Sequence, residues 1–324
     1  MQPYIDTTTG ERSTTEQIST RILQLLLPHR RHVPGEQPPI PVAFTRQLNQ
    51  IAQFVRVGEP LLFTLPGFPC KSPNPDKVLG TLPDEGERLS LAFLDDLCVA
   101  IKKVYSPGAR MLICSDGHIF GDLIGVPDND IDAYAKGIRE IIRAESRTRI
   151  ATFSLANMLG SLSYDEKREQ IVNSFAPSPQ ELHDWVHSDD NAARLYRSIT
   201  RFLVEDTVGF TGSRSALQRR CRERAYGVIQ RSTAWGALIA QQFPRSVRLS
   251  IHPQPADAEK FGIRLLGISD MWTTPWHSCV VLHPDGTPEL VPHWQVRGTY
   301  TLVYHHGRPS HYKITRSLST AGAA

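Results

Sequence analysis

The sequence predicts an α/β protein: a Rossmann-like parallel or mixed sheet flanked by helices, with a helical insertion and a β-rich C-terminal part. Two short, continuously apolar runs, at residues 60–65 and 111–114, are typical of strands buried on both faces of a parallel sheet. An amphipathic segment at 87–105 separates them, so strand, helix and strand follow one another as in a right-handed crossover unit. A helix at 128–143 and a strand at 150–155 continue the alternation.

The remaining elements extend this core at both ends. Amphipathic helices are predicted at 15–27 and 45–57, joined by a basic, proline-rich connection at 28–41 with the composition of a mobile segment. We expect residues 1–60 to form a helical extension packing on a single α/β domain, 61–324. Helical periodicity dominates the region at about 164–243, with breaks at 177–179 and 209–213. Strands are predicted again at 247–251, 261–266, 278–282 and 300–304.

The composition restricts the class of protein. The 36 basic and 33 acidic residues leave a formal net charge of +3, too small to indicate a nucleic-acid or membrane partner. The five cysteines are odd in number and lack a Cys-x-x-Cys pair, which argues against disulfides or a zinc knuckle and fits a reducing compartment. No apolar run is long enough to cross a bilayer, and residues 1–19 lack the apolar core of a signal peptide. We therefore expect a cytoplasmic protein.

The predicted strand exits lack nucleotide-binding signatures. They read Leu-Pro-Gly-Phe-Pro, Ser-Asp-Gly-His and Leu-Ala-Asn-Met, and none is a Gly-x-Gly-x-x-Gly fingerprint. A Gly-x-x-x-x-Gly-Lys-Ser/Thr loop is also absent. The sheet is therefore not expected to bind NAD or ATP.

Polar residues follow the predicted strands. Ligands of open α/β sheets bind outside the carboxyl ends of the strands, so Ser115, Asp116 and Asp122 lie where chemistry is expected. Turn capping is the simpler interpretation of Ser115, whereas Asp116 with Asp122 across a glycine-bounded loop favours a functional role. Lys71 follows the first strand on a loop stiffened by three prolines, placed to meet an anion or a carbonyl.

Arginines and histidines cluster in the second half of the chain. Six arginines and one glutamate lie between residues 214 and 231 on several helical faces, so the segment is a solvated helix unless one or two arginines bind phosphate. A nucleic-acid patch is a third interpretation, but aromatic residues do not alternate with the arginines as a stacking groove would need. Seven of the twelve histidines lie beyond residue 250 without the spacing of a zinc motif. General acid–base or phosphate-contact roles are expected for one or two of them.

Six segments together carry a family resemblance. They read Phe-Pro-Cys-Lys-Ser-Pro-Asn at 68–74, Leu-Ile-Cys-Ser-Asp-Gly-His at 112–118, Phe-Gly-Asp-Leu-Ile-Gly-Val-Pro-Asp at 120–128, Val-Arg-Leu-Ser-Ile-His-Pro-Gln at 247–254, Thr-Pro-Trp-His at 274–277 and Gly-Arg-Pro-Ser-His-Tyr at 307–312. In this order the chain resembles the isonitrile (isocyanide) synthase family, grouped with pyoverdine and dityrosine biosynthesis proteins. The resemblance extends from about residue 61 to residue 313.

The resemblance implies an enzyme of carbon–carbon lyase type without a metal, nucleotide or flavin cofactor. Such enzymes join the amino group of an L-amino acid, typically tyrosine or tryptophan, to C2 of ribulose 5-phosphate. The amine condenses with the sugar ketone, phosphate is eliminated, and flanking carbon–carbon bonds break to leave R–N≡C. A dioxygenase dependent on Fe(II) and 2-oxoglutarate commonly acts next, and neither nucleic acid nor a membrane is an implied partner.

That chemistry suggests roles for the residues in the matching segments. It needs proton transfer at the amine and fixed cations for the phosphate. We expect Asp116 or Asp122 to act as the base, and His252 or His277 as the acid. Lys71 is also a possible imine-forming group, although the substrate amine already takes that part. The candidate substrate-binding residues are Lys71, Ser115, Lys260, Arg308 and Arg214 of the 214–231 segment, with Phe68 and Trp276 as walls of a side-chain pocket.

Three alternatives stay open at this stage. The first is a dityrosine-type enzyme that forms an N-formyl amino acid. The second is a metal-dependent hydrolase using Asp116, His118 and Asp122, and the third is a nucleic-acid-binding protein. The isonitrile synthase hypothesis makes a geometric prediction: Lys71, Asp116, His252 and His277 should meet at one rim of the parallel sheet.

Overall fold

A computed structural model of the chain describes residues 7–33, 35–36, 41–266 and 273–314. Its centre is a five-stranded parallel sheet. The strands are β1 Leu61–Pro66, β2 Ala109–Cys114, β3 Ile150–Phe153, β4 Val247–Ser250 and β5 Phe261–Gly262. Their order across the sheet is β3-β2-β1-β4-β5. The Rossmann-like parallel sheet predicted from the sequence is thereby confirmed.

The strand order reverses at β1. The chain runs from β1 to β2 to β3 and then returns to β4 on the opposite side of β1, so that Phe63 of β1 faces Met111 on one neighbour and Val247 on the other. A reversal of this kind opens a crevice at the carboxyl ends of the flanking strands. The segments that follow β1, β2 and β4 therefore border this crevice.

Helices pack against the sheet in two apolar cores. The helices of the described residues are α1 Thr7–Leu26, α2 Thr45–Val57, α3 Glu85–Val104, α4 Gly117–Ile124, α5 Asp128–Ala144, α6 Leu155–Leu159, α7 Tyr164–Phe175, α8 Pro179–Ser188, α9 Asp190–Asp206, α10 Arg214–Gln242 and α11 His293–Val296. One core joins α1, α2, α3 and α5 to the strands, and another joins α6, α7 and α10 to the end of β2. In the described part of the chain, no helix has both the length and the apolar character required to cross a membrane.

The breaks predicted in the helical region occur where serine caps the next helix. Ser178 accepts a hydrogen bond from the backbone N–H of Glu181 at the start of α8, and Ser213 accepts one from Ala216 at the start of α10. Such caps satisfy backbone donors that a helix leaves without partners. The helical insertion is therefore four helices, α7 to α10.

The C-terminal part forms a second, mixed sheet. Its strands are β6 Cys279–Leu282, β7 Pro288–Val291, β8 Thr301–His305 and β9 Arg308–Lys313, in the order β7-β6-β9-β8. A single 3-10 turn, Pro275–His277, precedes β6 and leads the chain back to the first sheet. This confirms the predicted β-rich C-terminal part.

Two predicted segments differ in the structure. The strand predicted at 261–266 is shorter, Phe261–Gly262, because Arg30 then bridges Ile263 from the connection ahead of α2. The start of that connection is packed, since the backbone N–H of Arg31 donates to Gly262 O at 2.9 Å and both arginines are buried. Residues 34 and 37–40 of the predicted proline-rich connection lie outside the described residues.

Candidate active site

The loop that follows β1, residues 67–75, contacts the other segments of the candidate site. Ser115 donates a hydrogen bond from Oγ to Phe68 O at 3.1 Å, and Gly117 packs directly on the carbonyl of Pro69. A Cβ at residue 117 would overlap that carbonyl oxygen, so only glycine allows this approach. The exits of β1 and β2 are therefore held together.

The turn that contains His277 is attached to the other side of this loop. The backbone N–H of Ser72 donates to Trp276 O at 2.8 Å, and the Phe68 and Trp276 rings lie 5.1 Å apart between centroids. Trp276 is buried and packs on the Phe68 ring, so it acts as a packing residue. These contacts bring Asp116, on the exit of β2, and His277 to the same end of the sheet.

The side chain of Asp116 has a buried oxygen atom, Oδ1, that forms no hydrogen bond with the described residues. Desolvation raises the pKa of Asp116 to about 7, although a backbone N–H opposes the shift. A carboxyl group that titrates near neutral pH can both accept and donate a proton.

His277 is half-buried and fixed by its neighbours. Its Nδ1 lies 2.9 Å from Thr274 Oγ1, and its ring meets the Phe202 ring edge-on at 4.6 Å. Burial lowers the pKa of His277 to about 3, and the positive charges of Lys77 and Lys71 act in the same direction. The imidazole is therefore neutral at pH 7, and its Nε2 has no partner among the described residues.

His252 follows β4 and faces the same crevice. It lies close enough to His277 to contribute to the lowered pKa of that residue. Desolvation by the surrounding loops lowers the pKa of His252, and the charges of Arg31 and Lys260 add to this effect. The carboxyl end of β4 is thus a region of positive potential occupied by a neutral histidine.

Lys260 and Arg248 form a pair of cations beside this histidine. Both side chains face Gly236 of α10, where a Cβ added to the glycine would lie 3.7 Å from Lys260 Nζ and 3.5 Å from Arg248 Nη2. Arg248 is engaged by Glu259 at 2.6 Å and by Gly236 O at 3.0 Å. Lys260 forms no hydrogen bond or ion pair with the described residues. Desolvation lowers its pKa, and the positive charge of Arg248 lowers it further. Lys260 is the cation with capacity for an anionic ligand.

Lys71 lies in the same loop, but its ammonium group points into the protein. Nζ lies 2.8 Å from Asp84 Oδ2, 2.8 Å from Glu87 Oε2 and 2.9 Å from Pro275 O. These three acceptors use all three N–H donors of the group. Although burial opposes the change, the two carboxylates raise the pKa of Lys71. In this arrangement Lys71 fastens the β1 loop and has no N–H left for a phosphate, nor the neutral amine that an imine requires.

Asp122 differs from Asp116 because its carboxylate forms ion pairs with two arginines. Its Oδ1 lies 2.5 Å from Arg231 Nη1 and 3.5 Å from Arg168 Nε, on the surface where α4 meets α7 and α10. The carboxylate is therefore engaged by two guanidinium groups away from the crevice. Of the two candidate bases, Asp116 has the environment that suits the role.

Two other predicted phosphate ligands are exposed. Arg214 begins α10, and 22 residues separate it from Gly236, which corresponds to about 33 Å along a helix. Arg214 is therefore out of reach of Lys260. Arg308 is the first residue of β9. The parallel register of β6 and β9 places it beside the turn that contains His277. It contacts no site residue in the described part of the chain.

The side chains of the predicted metal triad do not converge on one point. His118 stacks on Tyr164 with 3.8 Å between ring centroids, and its Nε2 lies 3.3 Å from Asp132. Asp122 is held by arginines, as described above, and Asp116 lies at the crevice. Within the described residues no group of histidine, cysteine and acidic side chains has the arrangement of a metal site.

The helical insertion contributes residues that the sequence did not reveal. Asp206, at the end of α9, is 2% exposed and pairs with Lys77 at 2.6 Å, and desolvation raises its pKa. Phe202, one turn earlier, contacts both His277 and Lys77. An acidic residue at a helix C-terminus opposes the helix dipole, which is the one sequence signal that marks Asp206 as unusual.

The chain is similar to known proteins over most of its length. Residues 51–303 match the family described as "Pyoverdine/dityrosine biosynthesis protein". The L-tyrosine isonitrile synthase of Pseudomonas aeruginosa is 43% identical over 309 residues, covering 92% of this chain and 94% of that protein. The L-tryptophan isonitrile synthase AmbI2 of Fischerella ambigua is 40% identical over 307 residues, covering 92% of each protein.

A solved structure agrees with this assignment. The crystal structure of the PvcA protein from Pseudomonas aeruginosa superimposes with a TM-score of 0.87 at 44% sequence identity, covering 92% of this chain and all of that one. The range matched by the family, residues 51–303, includes the parallel sheet, the helical insertion and the segments that carry Asp116, His252 and His277. The chain belongs to the isonitrile synthase family of pyoverdine and dityrosine biosynthesis proteins.

Proposed function

We propose that the chain is an isonitrile synthase that combines the amino group of an aromatic L-amino acid, tyrosine or tryptophan, with ribulose 5-phosphate. Support for the amino-acid class comes from relatives named as L-tyrosine and L-tryptophan isonitrile synthases. The sugar phosphate as carbon donor follows from the family resemblance and from the cationic end of β4. The reaction is of carbon–carbon lyase type, because the donated carbon must be released from its neighbours.

The proposal is supported by a set of four residues: Asp116 follows β2, His252 follows β4, His277 lies on the turn before β6, and Lys260 acts on the pKa of His252. This set supplies one carboxyl group that titrates near neutrality, two neutral imidazoles and one cation without a partner among the described residues. Condensation of an amine with a ketone needs this set: a proton acceptor at nitrogen, a proton donor at oxygen and a counter-charge for phosphate.

Asp116 is the proposed base for the first step. The amino acid enters as an ammonium ion and must lose a proton before its nitrogen attacks the ketone. A base with a pKa near the working pH combines availability with proton-accepting strength, and Asp116 meets this condition better than His252 or His277. Attack at C2, followed by loss of the ketone oxygen as water, gives an imine.

His252 is the proposed acid, and its protonation depends on the substrate. In the free enzyme desolvation, supported by the charges of Arg31 and Lys260, lowers its pKa and keeps it neutral. A phosphate dianion bound to Lys260 adds negative charge next to His252 and thereby raises its pKa. The imidazole then becomes a proton donor only when the sugar phosphate is in place.

The test is to incubate the purified chain with ribulose 5-phosphate and each aromatic amino acid in turn. Mass spectrometry and the isonitrile stretch in the infrared spectrum identify the product. Consumption of both substrates with an isonitrile signal supports the proposal. An N-formyl amino acid would instead identify a dityrosine-type enzyme, and an absence of sugar phosphate consumption would overturn ribulose 5-phosphate as the carbon donor.

A further inference from the structure

A cavity lies next to the crevice of the candidate active site. It has a volume of about 320 Å³ and opens at the carboxyl ends of β2 and β3, between the sheet and α5. Ser115 lines it, whereas Asp116, His252, His277 and Lys260 do not. Its size is at the lower end of the range for small-molecule sites, about 300–1,000 Å³. The adjacent residues Ser115 and Asp116 thus mark the boundary between this cavity and the crevice.

The inner part of this cavity is apolar with hydroxyl groups at one side. Phe68 and Ile138 are 1% and 2% exposed and form its wall. Ser115 donates its hydroxyl hydrogen to Phe68 O and keeps its lone pairs as acceptors. The hydroxyl of Thr152 has no partner among the described residues. A flat ring that carries a hydroxyl group matches this lining.

The rim supplies hydrogen-bond donors. Asn157 accepts a hydrogen bond at Oδ1 from the backbone N–H of Ser154 at 2.8 Å, so the amide orientation is fixed and its NH₂ group is left to donate elsewhere. Arg139, on α5, is exposed and forms no ion pair with the described residues. A guanidinium group and an amide NH₂ at the same rim suit a carboxylate.

We propose that this cavity binds an aromatic carboxylic acid. The carboxylate lies on Arg139 and Asn157, the ring packs on Phe68 and Ile138, and a ring hydroxyl meets Thr152. Two molecules share this chemistry: the amino-acid substrate itself, and an amine-free acid that binds at a separate site. The first case rests on the proposed function, because the cavity would then be the side-chain pocket of the active site.

The binding test uses 3-(4-hydroxyphenyl)propionate, which has the ring and the carboxylate of tyrosine without the amine. Isothermal titration of the purified full chain should detect binding. The Arg139→Ala variant should weaken it by about tenfold or more, because a charge-assisted hydrogen bond is lost. Arg143→Ala, an exposed arginine one turn further along α5, is the matched control and should bind as the parent does. Ala135→Phe should abolish binding by filling the cavity.

Kinetics then separate the two sources. If Ala135→Phe raises the KM for the amino acid at least tenfold and leaves the KM for ribulose 5-phosphate unchanged, the ligand is the substrate. Unchanged kinetics with lost probe binding identify a separate acid site. The proposal is overturned if the parent chain does not bind the probe, or if Arg139→Ala and Ala135→Phe bind it as the parent does. Since titration needs no turnover, failure of the proposed function leaves this test intact.

Discussion

The Nζ atom of Lys71 lies 2.8 Å from Oδ2 of Asp84, and neither side chain is more than 3% exposed. Asp84 is also the N-cap of α3, and Glu87, the third residue of that helix, completes both the capping box and the ion-pair network. Tyr134 of α5 donates to Glu87 at 3.0 Å. One buried network thus joins the β1 loop, the first turn of α3 and α5, and through Pro275 O it holds the His277 turn.

Replacing Lys71 by methionine should destabilise the protein severely. The variant leaves two buried carboxylates without their cation, and breaking a buried pair in this way costs about 3–5 kcal/mol. Urea denaturation followed by circular dichroism measures the loss in the free energy of unfolding. Lys136→Met is the control, because that side chain is 73% exposed and its nearest carboxylate oxygen is 3.9 Å away, so its effect should be close to zero.

The same variant decides between a supporting and a substrate-binding role for Lys71. A supporting role predicts lost stability whether or not activity is retained in the folded fraction. If Lys71→Met unfolds at the same urea concentration as the parent and yet fails to turn over, Lys71 contacts the substrate, and its ammonium must leave Asp84 during the reaction.

Replacing Asp116 by asparagine should abolish activity and increase stability at alkaline pH. The folded-state pKa is raised from 3.8 to about 7, so the folded state binds the proton more tightly than the unfolded state. The carboxyl group therefore lowers stability progressively as the pH rises from about 4 to about 7, and asparagine removes this effect. We expect Asp116→Asn to be more stable by about 1–3 kcal/mol at pH 8.5, a value reduced from the full shift because the side chain is half-buried.

Comparing the stability of Asp116→Asn and the parent at two pH values isolates the effect of the carboxyl group. Near pH 3 the parent carboxyl is largely protonated in both states, so the two proteins should have similar melting temperatures. Asp122→Asn is a control on the same helix and should lose stability at pH 8.5, because Asp122 pairs with Arg231 at 2.5 Å. Equal stability of Asp116→Asn and the parent at both pH values would show that Asp116 is well solvated.

Local patterns predict the sheet and the loops at its rim, but not what each side chain meets there. The apolar runs of β1 and β2 end at glycine, proline and polar residues, so their carboxyl ends are visible in the sequence. The partners of Lys71 lie 13 and 16 residues away, at the start of α3. Asp206 reaches the site from a helix whose packing angle leaves no mark in a single sequence. Only the tertiary structure therefore shows which charged residues at the rim can bind substrate and which form ion pairs that hold the loops.

Arg214 illustrates the same limit. Its segment is a reasonable source of a phosphate ligand, because arginines outnumber acids there. Only the continuity of α10 shows that its start lies far from Gly236, while Arg231, further along, pairs with Asp122.

Replacing Lys260 by methionine should weaken binding of the sugar phosphate. Lys260 has no partner in the described part of the chain, so its removal leaves no buried charge unpaired and the fold should be retained. Loss of a charge-assisted contact should raise the KM for ribulose 5-phosphate about 10- to 100-fold. Steady-state kinetics with the amino acid at saturation measure the change. Arg214→Ala should leave this KM within about twofold of the parent value, and Arg308→Ala decides whether that residue is a second phosphate ligand.

Replacing Thr274 by valine should lower kcat by about tenfold, with little change in stability. Valine keeps the shape of the side chain but removes the hydroxyl that lies 2.9 Å from Nδ1 of His277. This contact selects which ring nitrogen carries the hydrogen, and therefore whether Nε2 accepts or donates a proton in the crevice. One hydrogen bond of about 1.4 kcal/mol corresponds to a tenfold effect. Thr274→Ser keeps the hydroxyl and should restore kcat, and the pH profile of Thr274→Val should change while that of Thr274→Ser does not. If the valine and serine variants are equally active, the orientation of His277 does not depend on Thr274.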